Sequence, residues 1–352
     1  MDHVHISDLT GKTLLSRVGV NCLQMCLASA STSCDKCVGP EGGGARRRGK
    51  KIVTSGTVFL CTADEDMVKS KRVFIRTLDA YAEMIEGLAD IQRLAAEEAR
   101  EEGRRLVHNL TTLNSHIIQE IYNIVPQDEL AGTPGQQISV IASAIASNPP
   151  AAAQAALRIL KNAVAARTEM QVVRRFRTAP QLPPQMRPHM IHKVIKNVLI
   201  TFFQEAQDRE LYWNLRATAE RVWVDYELVS AALYRFFENC VKYCAPTSTI
   251  DLAFEAHDGR LNVVMEMKSL PIVPGEESSI FDEGVSGAMA KKYNLNGSGL
   301  GLSIVRQLLE VNNATVMVHA GTRVEVIRGV EYAPNRFTFS FSRARKGSVS
   351  PV

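Results

Sequence analysis

The sequence has no long apolar run and little net charge, and each absence excludes a class of protein. No window approaches the apolar length of a membrane-spanning helix, and no cleavable signal pattern opens the chain. The 41 basic and 37 acidic residues leave a formal charge of +4 over 352 residues, too small to indicate a nucleic-acid-binding protein. Seven cysteines fit a reducing compartment. We therefore expect a cytoplasmic protein that neither enters a membrane nor binds nucleic acid.

Residues 1–66 contain little that predicts a folded domain. Glycine, serine and basic residues dominate positions 28–56, a composition that indicates disorder, and the basic cluster at residues 46–51 is typical of a solvated tail. Thiolates at short spacings can bind zinc, and four cysteines lie here, at Cys22, Cys26, Cys34 and Cys37. No flanking pattern would organise four ligands, so we predict disorder and no zinc site for residues 1–66.

Glycine and proline are almost absent from residues 67–125, which predicts one long helix or two in register. Its apolar residues recur at spacings of three and four, at Phe74, Leu78, Tyr81, Ile85 and Leu88 and again at Leu106, Leu110, Leu113 and Ile117. Such a stripe needs a partner helix, which residues 136–177 supply with an interruption near Pro149. Two helices bury little core, so we expect a four-helix bundle formed by two chains.

The second half of the chain has the pattern of an α/β sandwich. Apolar and polar residues alternate over residues 250–254 and 261–267 around the turn His257-Asp258-Gly259-Arg260, which predicts a β-hairpin. Asp225 is a suitable N-cap for a helix over residues 226–244. Further strands are predicted at residues 221–224, 314–319 and 336–341. A mixed sheet covered by helices on one face satisfies this order.

A glycine-rich segment, Gly297-Ser298-Gly299-Leu300-Gly301, precedes an apolar helical run. Glycines let backbone N–H groups approach a phosphate, and the helix N-terminus that follows favours an anion. The spacing is G-x-G-x-G, and no strand precedes it, so a dinucleotide-binding Rossmann turn is not indicated. Upstream, the Asn239 amide oxygen could hold Mg²⁺, and the Lys242 ammonium could neutralise phosphate.

Three segments resemble, in order, the sequence boxes of the ATP-binding domain shared by sensor histidine kinases and gyrase-type ATPases, over roughly residues 188–344. Residues 238–243, Glu-Asn-Cys-Val-Lys-Tyr, resemble the N box; residues 281–284, Phe-Asp-Glu-Gly, the F box; and residues 297–302 the second glycine box. The resemblance implies that Asn239 ligates Mg²⁺, Lys242 contacts phosphate and Tyr243 lines the nucleotide. It also implies that the glycine segment, with Ser298 and Leu300, forms the ATP lid.

The chain departs from this family where D-x-G-x-G, whose Asp accepts a hydrogen bond from the adenine amino group, is usual. It has Met267-Lys268-Ser269-Leu270-Pro271 there, so the adenine contact is missing. Four residues before Asn239, where kinases often have Asn, stands Arg235, which could reach phosphate or face solvent. Glu238 is a candidate base or an ordinary exposed helix carboxylate.

The long helical segment contains His108, which falls on the outer face when Leu106 and Leu110 face the helix partner. An exposed imidazole is largely neutral near pH 7 and can attack a γ-phosphate. The segment resembles the H box of histidine kinases, in which an acid follows the phospho-accepting His. Asn109 replaces that acid and can orient the ring without activating it. His116 is the competing candidate.

We therefore expect a homodimeric histidine protein kinase that binds ATP and Mg²⁺, autophosphorylates His108 and transfers the phosphoryl group to an Asp of a response-regulator receiver domain. Its expected parts are a disordered segment (1–66), a helical dimerisation and phosphotransfer domain (67–178), an ATP-binding domain (188–344) and a tail (345–352). One alternative is a phosphotransfer or scaffold dimer that no longer uses ATP, which the segment at residues 267–271 favours. Another is a gyrase-like ATPase or anti-sigma-type Ser/Thr kinase, against which the helix bearing His108 argues.

Overall fold

The computed structural model describes residues 3–17, 35–38, 44–178, 181–295 and 297–344. Its packing divides the chain into two compact units, Met1–Arg105 and Leu106–Val352. The boundary between the two units lies inside one helix of 54 residues. The tail at 345–352 and the side chains of the cysteine cluster considered for zinc lie outside the described residues.

The first unit contains an antiparallel sheet where we predicted disorder. Its strands run in the spatial order β2-β1-β5-β4-β3 and are β1 (His3–Ser7), β2 (Thr13–Ser16), β3 (Asp35–Val38), β4 (Ala45–Val53) and β5 (Gly56–Thr62). The expectation of disorder is therefore wrong for these strands. The basic cluster is not a solvated tail either: it lies on β4, where the buried Arg47 donates a 2.8 Å hydrogen bond to the Val68 carbonyl.

The helix that follows this sheet covers one of its faces. Two short helices and two long ones follow β5: α1 (Glu65–Lys69), α2 (Lys71–Ile124), α3 (Pro134–Ser147) and α4 (Pro149–Val173). Val4, Ile6, Val58 and Leu60 of the sheet share one buried cluster with Phe74, Leu78, Ala82 and Ile85 of α2. The first half of the predicted stripe thus packs on a sheet and not on a partner helix, because burial is non-directional and any apolar surface satisfies it.

The predicted helices 67–125 and 136–177 are confirmed as α2 and as α3 plus α4. Pro134 and Pro149 each stand in the first turn of a helix, where a missing N–H costs nothing. In the second unit, Glu120 of α2 pairs with Arg158 of α4 at 2.8 Å. No helix in the described ranges combines the length and apolarity needed to cross a bilayer.

The remaining elements form the predicted α/β sandwich. The strands are β6 (Arg187–Met190), β7 (Tyr212–Leu215), β8 (Arg221–Val224), β9 (Thr249–His257), β10 (Arg260–Ser269), β11 (Thr315–His319), β12 (Glu325–Ile327) and β13 (Val330–Ser342). The helices are α5 (Ile191–Leu199), α6 (Phe203–Asp208), α7 (Tyr226–Tyr243), α8 (Ala288–Lys292) and α9 (Gly301–Val311). The main sheet has the order β11-β13-β10-β9-β7, with β12 on β13, and it is mixed because β7 runs parallel to β9.

The predicted hairpin is confirmed with its turn: β9 and β10 pair up to His257 and Arg260, and Asp258 and Gly259 both have positive φ. One core joins the sheet to α5, α7 and α9. At its centre the Phe236 ring of α7 lies edge-on to Phe339, with ring centroids 4.8 Å apart. Val164, Ala165 and Val172 of α4 pack against the same core, so α4 is part of this unit.

Candidate functional site

Helix α7 places Asn239, Lys242 and Tyr243 at one end of the sandwich. The helix begins at the predicted N-cap Asp225, whose carboxylate accepts hydrogen bonds from the N–H groups of Glu227 and Leu228 at 3.0 and 3.2 Å. Its apolar face is buried in the core, which leaves the three site residues half-buried at the edge of the helix. Their position thus follows from the helical period of the apolar residues.

The glycine segment lies directly against these side chains. A Cβ atom added to Gly301 would lie 3.0 Å from Asn239 Nδ2, and one added to Gly297 would lie 3.5 Å from Lys242 Nζ. Gly301 is also the first residue of α9, whose N-terminus no side chain caps. An amide, an ammonium and free helical N–H groups therefore meet at one place. Asn296, the residue before the segment, lies outside the described residues.

The F-box segment and the residues after it contact the glycine segment and α9. Gly299 has φ +72°, and a Cβ there would lie 2.4 Å from the carbonyl carbon of Gly284. Ser286 donates a 3.3 Å hydrogen bond to the Gly297 carbonyl, and Asp282 pairs with Arg306 of α9 at 2.8 Å. The two sequence boxes thus touch, and only glycine fits at the contact. Ser298 is exposed, and the Leu300 carbonyl accepts a hydrogen bond from Ser303 Oγ at 2.9 Å.

The chemistry of these groups fits Mg²⁺ and a phosphate chain. Within the described residues, the Asn239 amide makes no hydrogen bond and Lys242 makes no ion pair. The Lys242 ammonium lies 5.1 Å from the centre of the Tyr243 ring. An amide oxygen suits Mg²⁺, an ammonium suits phosphate, and an uncapped helix N-terminus attracts an anion. The site therefore has the groups to hold both.

The Arg235 side chain forms ion pairs with two carboxylates, which neither of the two alternatives for this residue predicts. Its guanidinium pairs with Glu169 of α4 at 2.5 Å and with Glu238 at 3.0 Å, and its side chain is only 16 % exposed. Burial opposes the charge on Arg235, but Glu238 and Glu169 outweigh burial and raise its pKa. The two alternatives that the sequence offers for Arg235, a phosphate contact and a solvated side chain, are both wrong, because a carboxylate from another helix compensates the buried charge. No sequence signal links residues 169 and 235.

Helix α4 makes further polar contacts with this domain. Lys161 pairs with Glu205 of α6, and its ammonium lies 5.9 Å from the centre of the Phe202 ring. Burial lowers the pKa of Lys161, and Glu238 partly offsets that effect. Glu238, the candidate base, thus lies in a charged network that joins α4 to α7.

The segment at residues 267–271 ends strand β10 beside α7. The buried Met267 contacts the Cys240 thiol, with 3.8 Å between the sulfur atoms, and burial raises the pKa of that thiol. The Leu270 N–H donates to the Tyr243 carbonyl at 3.1 Å. The segment in which the sequence predicts no adenine contact therefore contains a methionine and a leucine, Met267 and Leu270.

His108 and His116 are both exposed on α2, and Asn109 is half-buried. The exposure predicted for His108 is thus seen in the structure. In the described part of the chain no hydrogen bond or ion pair joins His108 to α7 or to the glycine segment. The structure brings together Asn239, Lys242, Tyr243 and the glycine segment, but it does not bring His108 to them.

Residues 224–331 match the family model described as histidine kinase-, DNA gyrase B- and HSP90-like ATPase. The sensor histidine kinase CusS of Escherichia coli (strain K12) is 26 % identical over 145 residues, which cover 41 % of this chain and 30 % of CusS. The sensor protein KdpD of the same strain is 34 % identical over 97 residues, which cover 27 % of this chain and 10 % of KdpD. The chain thus spans less than a third of either relative. Among solved structures, the mycobacterial sensor histidine kinase MprB aligns with a TM-score of 0.38 and 18 % identity, over 46 % of this chain and 99 % of that one.

Proposed function

We propose that this histidine-kinase-like chain, which carries an ATP-binding domain of the histidine kinase, gyrase B and HSP90 type, is a histidine protein kinase that autophosphorylates His108. The observation that carries the proposal is the meeting of the Asn239 amide, the Lys242 ammonium and the uncapped N-terminus of α9 at the glycine segment. These groups suit a metal-bound triphosphate, and an exposed histidine on a long helix suits a phosphoryl acceptor.

The residues of the site act mainly by position and charge. Mg²⁺, when bound, neutralises phosphate charge and orients the γ-phosphoryl group. Asn239 would hold the metal, Lys242 would take the charge of the phosphates, and the glycine segment would close over them as a lid. Tyr243 would line the nucleotide. A neutral nitrogen of His108 would attack the γ-phosphorus as ADP leaves, while Asn109 orients the ring and Glu238 remains the candidate base.

Phosphoryl transfer requires His108 to come close to the nucleotide site. This could happen through another arrangement of the helices, or His108 could come from a second chain. Reacting atoms must come within about 3–3.5 Å of each other, and the structure shows His108 exposed without such a contact. A second chain is supported by exposed apolar side chains on the helices, among them Val107, Ile118, Ile121, Ile138 and Ile145. A dimer interface along these helices would remove these side chains from water. We therefore keep the homodimer as part of the proposal.

We also propose separate roles for the two parts of the chain. The helical region at residues 67–178 would serve dimerisation and phosphotransfer, and residues 188–344 would bind ATP. A response-regulator receiver domain would take the phosphoryl group on an Asp, in the cytoplasm. The relatives named sensor histidine kinase support this assignment through the shared domain.

The test is labelling of the full chain with γ-labelled ATP and Mg²⁺. Wild type should acquire an acid-labile label, His108→Ala should lose it, and His116→Ala should keep it. Asn239→Ala should lose the Mg²⁺ dependence of nucleotide binding and weaken that binding by about tenfold or more, because the metal loses a ligand. Label on the His108→Ala variant would refute the acceptor assignment.

The second candidate is a dimer that takes part in phosphotransfer without using ATP. The buried Met267, in place of a hydrogen-bonding side chain, favours it. This candidate predicts no Mg·ATP binding by calorimetry and no self-labelling. It also predicts that His108 accepts a phosphoryl group from a phosphorylated receiver domain.

A further inference from the structure

The segment that leads into the glycine segment is held by the hairpin of β12 and β13. We call it the α8 segment and define it as residues 288–295, which a single residue separates from the glycine segment. The Lys292 ammonium pairs with the carboxylate of Glu331 on β13 at 2.9 Å, and the Glu331 N–H donates to the Tyr293 hydroxyl at 3.1 Å. Hydrogen bonds from Lys292 and Tyr293 also hold the pKa of the Glu331 carboxyl below its ordinary value. Glu331 thus contacts two consecutive residues of the α8 segment.

A small apolar cluster accompanies these polar contacts. Ala290 of the α8 segment is buried in it with Tyr332 of β13, with Leu270 after β10 and with Ala245 after α7. Within the described residues, this cluster is separate from the core of the sandwich. The α8 segment can therefore move away from the hairpin while the core stays packed, as expected of a region of low local stability.

The α8 segment determines where the glycine segment lies. Its last residue, Leu295, accepts a 3.2 Å hydrogen bond at its carbonyl from the Tyr243 hydroxyl. Two residues later, a Cβ added to Gly297 would lie 3.5 Å from Lys242 Nζ. The gap between Gly297 and the Lys242 ammonium thus holds little more than a methyl group, so a phosphate that enters it must displace the glycine segment.

The contacts of Glu331 are weak enough to break often. The Lys292 and Glu331 side chains are 53 % and 34 % exposed, and ion pairs with this exposure contribute little stability. The hydrogen bond to the Tyr293 hydroxyl is an ordinary neutral one, which is also of modest strength. Contacts of this strength suit a segment that opens each time a ligand enters or leaves.

We propose that the contacts of Glu331 with Lys292 and Tyr293 form a latch that holds the glycine segment against Asn239 and Lys242, and that opening of this latch sets the rate of nucleotide exchange. This inference rests on the proposed nucleotide site and names the residues that control access to it. A latch that is equally strong with and without nucleotide changes the association and dissociation rate constants by the same factor, so it leaves the dissociation constant unchanged. A residue that only stabilises the bound site would change the dissociation constant.

The first measurement concerns the latch alone, in the full chain without nucleotide. The double variant Tyr293→Phe/Glu331→Gln removes one hydroxyl and one charge and keeps both side-chain shapes. Hydrogen exchange of the amides in residues 288–295 should become about tenfold faster, because a hydrogen bond and an exposed ion pair are lost together. Unchanged exchange in these residues would show that Glu331 does not hold the α8 segment and would overturn the inference.

The matched control is the double variant Tyr226→Phe/Glu325→Gln. It removes the same two groups elsewhere in the domain: the Tyr226 hydroxyl accepts from Asn197 Nδ2 at 3.3 Å, and Glu325 of β12 pairs with Lys268 at 2.6 Å. Neither contact involves the α8 segment, so exchange in that segment should stay as in wild type.

The second measurement is stopped-flow binding of a fluorescently labelled ATP with Mg²⁺. In the latch variant both rate constants should rise about tenfold while the dissociation constant stays within about threefold of wild type, and the control should match wild type. Unchanged rate constants, or a changed dissociation constant without a parallel change in both rates, overturn the inference and leave the kinase proposal standing.

The outcomes for the latch and for the kinase are distinct. A parallel rise of both rate constants without label on His108 supports the latch and removes the kinase proposal. No binding of the labelled ATP by the wild-type chain overturns both. If the double variant does not fold, Glu331→Gln alone should raise both rate constants by about threefold, and rates equal to those of wild type would then overturn the inference.

Discussion

One largely buried ion pair, Arg235–Glu169, joins α7 to α4 beside their apolar contacts, and we expect Glu169→Gln to weaken the packing of the two helices. The Glu169 and Arg235 side chains are 17 % and 16 % exposed, so the pair is largely shielded from water. Glutamine keeps the shape and one acceptor but removes the charge that compensates the guanidinium. Hydrogen bonds to charged groups contribute about 1.5–3 kcal/mol, and we expect a loss of free energy of unfolding of that size. Glu238, on the other side of the same guanidinium, is 47 % exposed, and Glu238→Gln should cost less than about 1 kcal/mol.

The assay is urea unfolding followed by tryptophan fluorescence. The chain has two tryptophans, Trp213 and Trp223, and both lie in the sandwich. Trp213 packs edge-on against Phe237 of α7, with ring centroids 5.4 Å apart, so its emission reports on this helix. Equal costs for Glu169→Gln and Glu238→Gln would refute the reasoning, because burial would then not decide the strength of the two pairs.

Three further predictions concern the glycine segment, the first unit and a helix start. Gly299→Ala should weaken Mg·ATP binding by about tenfold or more in calorimetry, because the new Cβ meets the Gly284 backbone, whereas Gly275→Ala, also at positive φ but in open space, should leave binding unchanged. Phe74→Ala should destabilise the sheet of the first unit by about 3–5 kcal/mol, seen as lost hydrogen-exchange protection of β5 amides. Asp225→Ala should lower the free energy of urea unfolding by about 1–2 kcal/mol through loss of the α7 cap.

The sandwich and its site could be predicted because their signals are local. Alternation along β9 and β10, the turn at Asp258 and the cap at Asp225 each involve residues close in sequence. The glycine segment and α7 could be linked through the chemistry that each offers to phosphate. The parallel pairing of β7 with β9 was not predicted, because the pattern within one strand does not indicate which other strand it pairs with.

The sheet of the first unit could not be predicted because the apolar residues of its core are far apart in the sequence. Val4 and Ile6 alternate in β1, and Val58 and Leu60 alternate in β5, but a glycine- and serine-rich stretch separates them in the sequence. Only the antiparallel pairing of β1 with β5 brings them to one face. The apolar stripe on α2 was predicted, but such a stripe does not indicate whether a helix or a sheet covers it.

The packing of α4 determines which fragments of the protein keep the core of the sandwich covered. Val164, Ala165 and Val172 of α4 belong to the same core as the sandwich, and Glu169 compensates Arg235 from that helix. A fragment that starts at residue 188 would expose this apolar surface to water and leave a buried guanidinium with only Glu238. A fragment that starts at Asn148, the N-cap of α4, keeps both contacts. A fragment that keeps the core of the ATP-binding domain intact therefore begins about 40 residues before residue 188, at the start of α4.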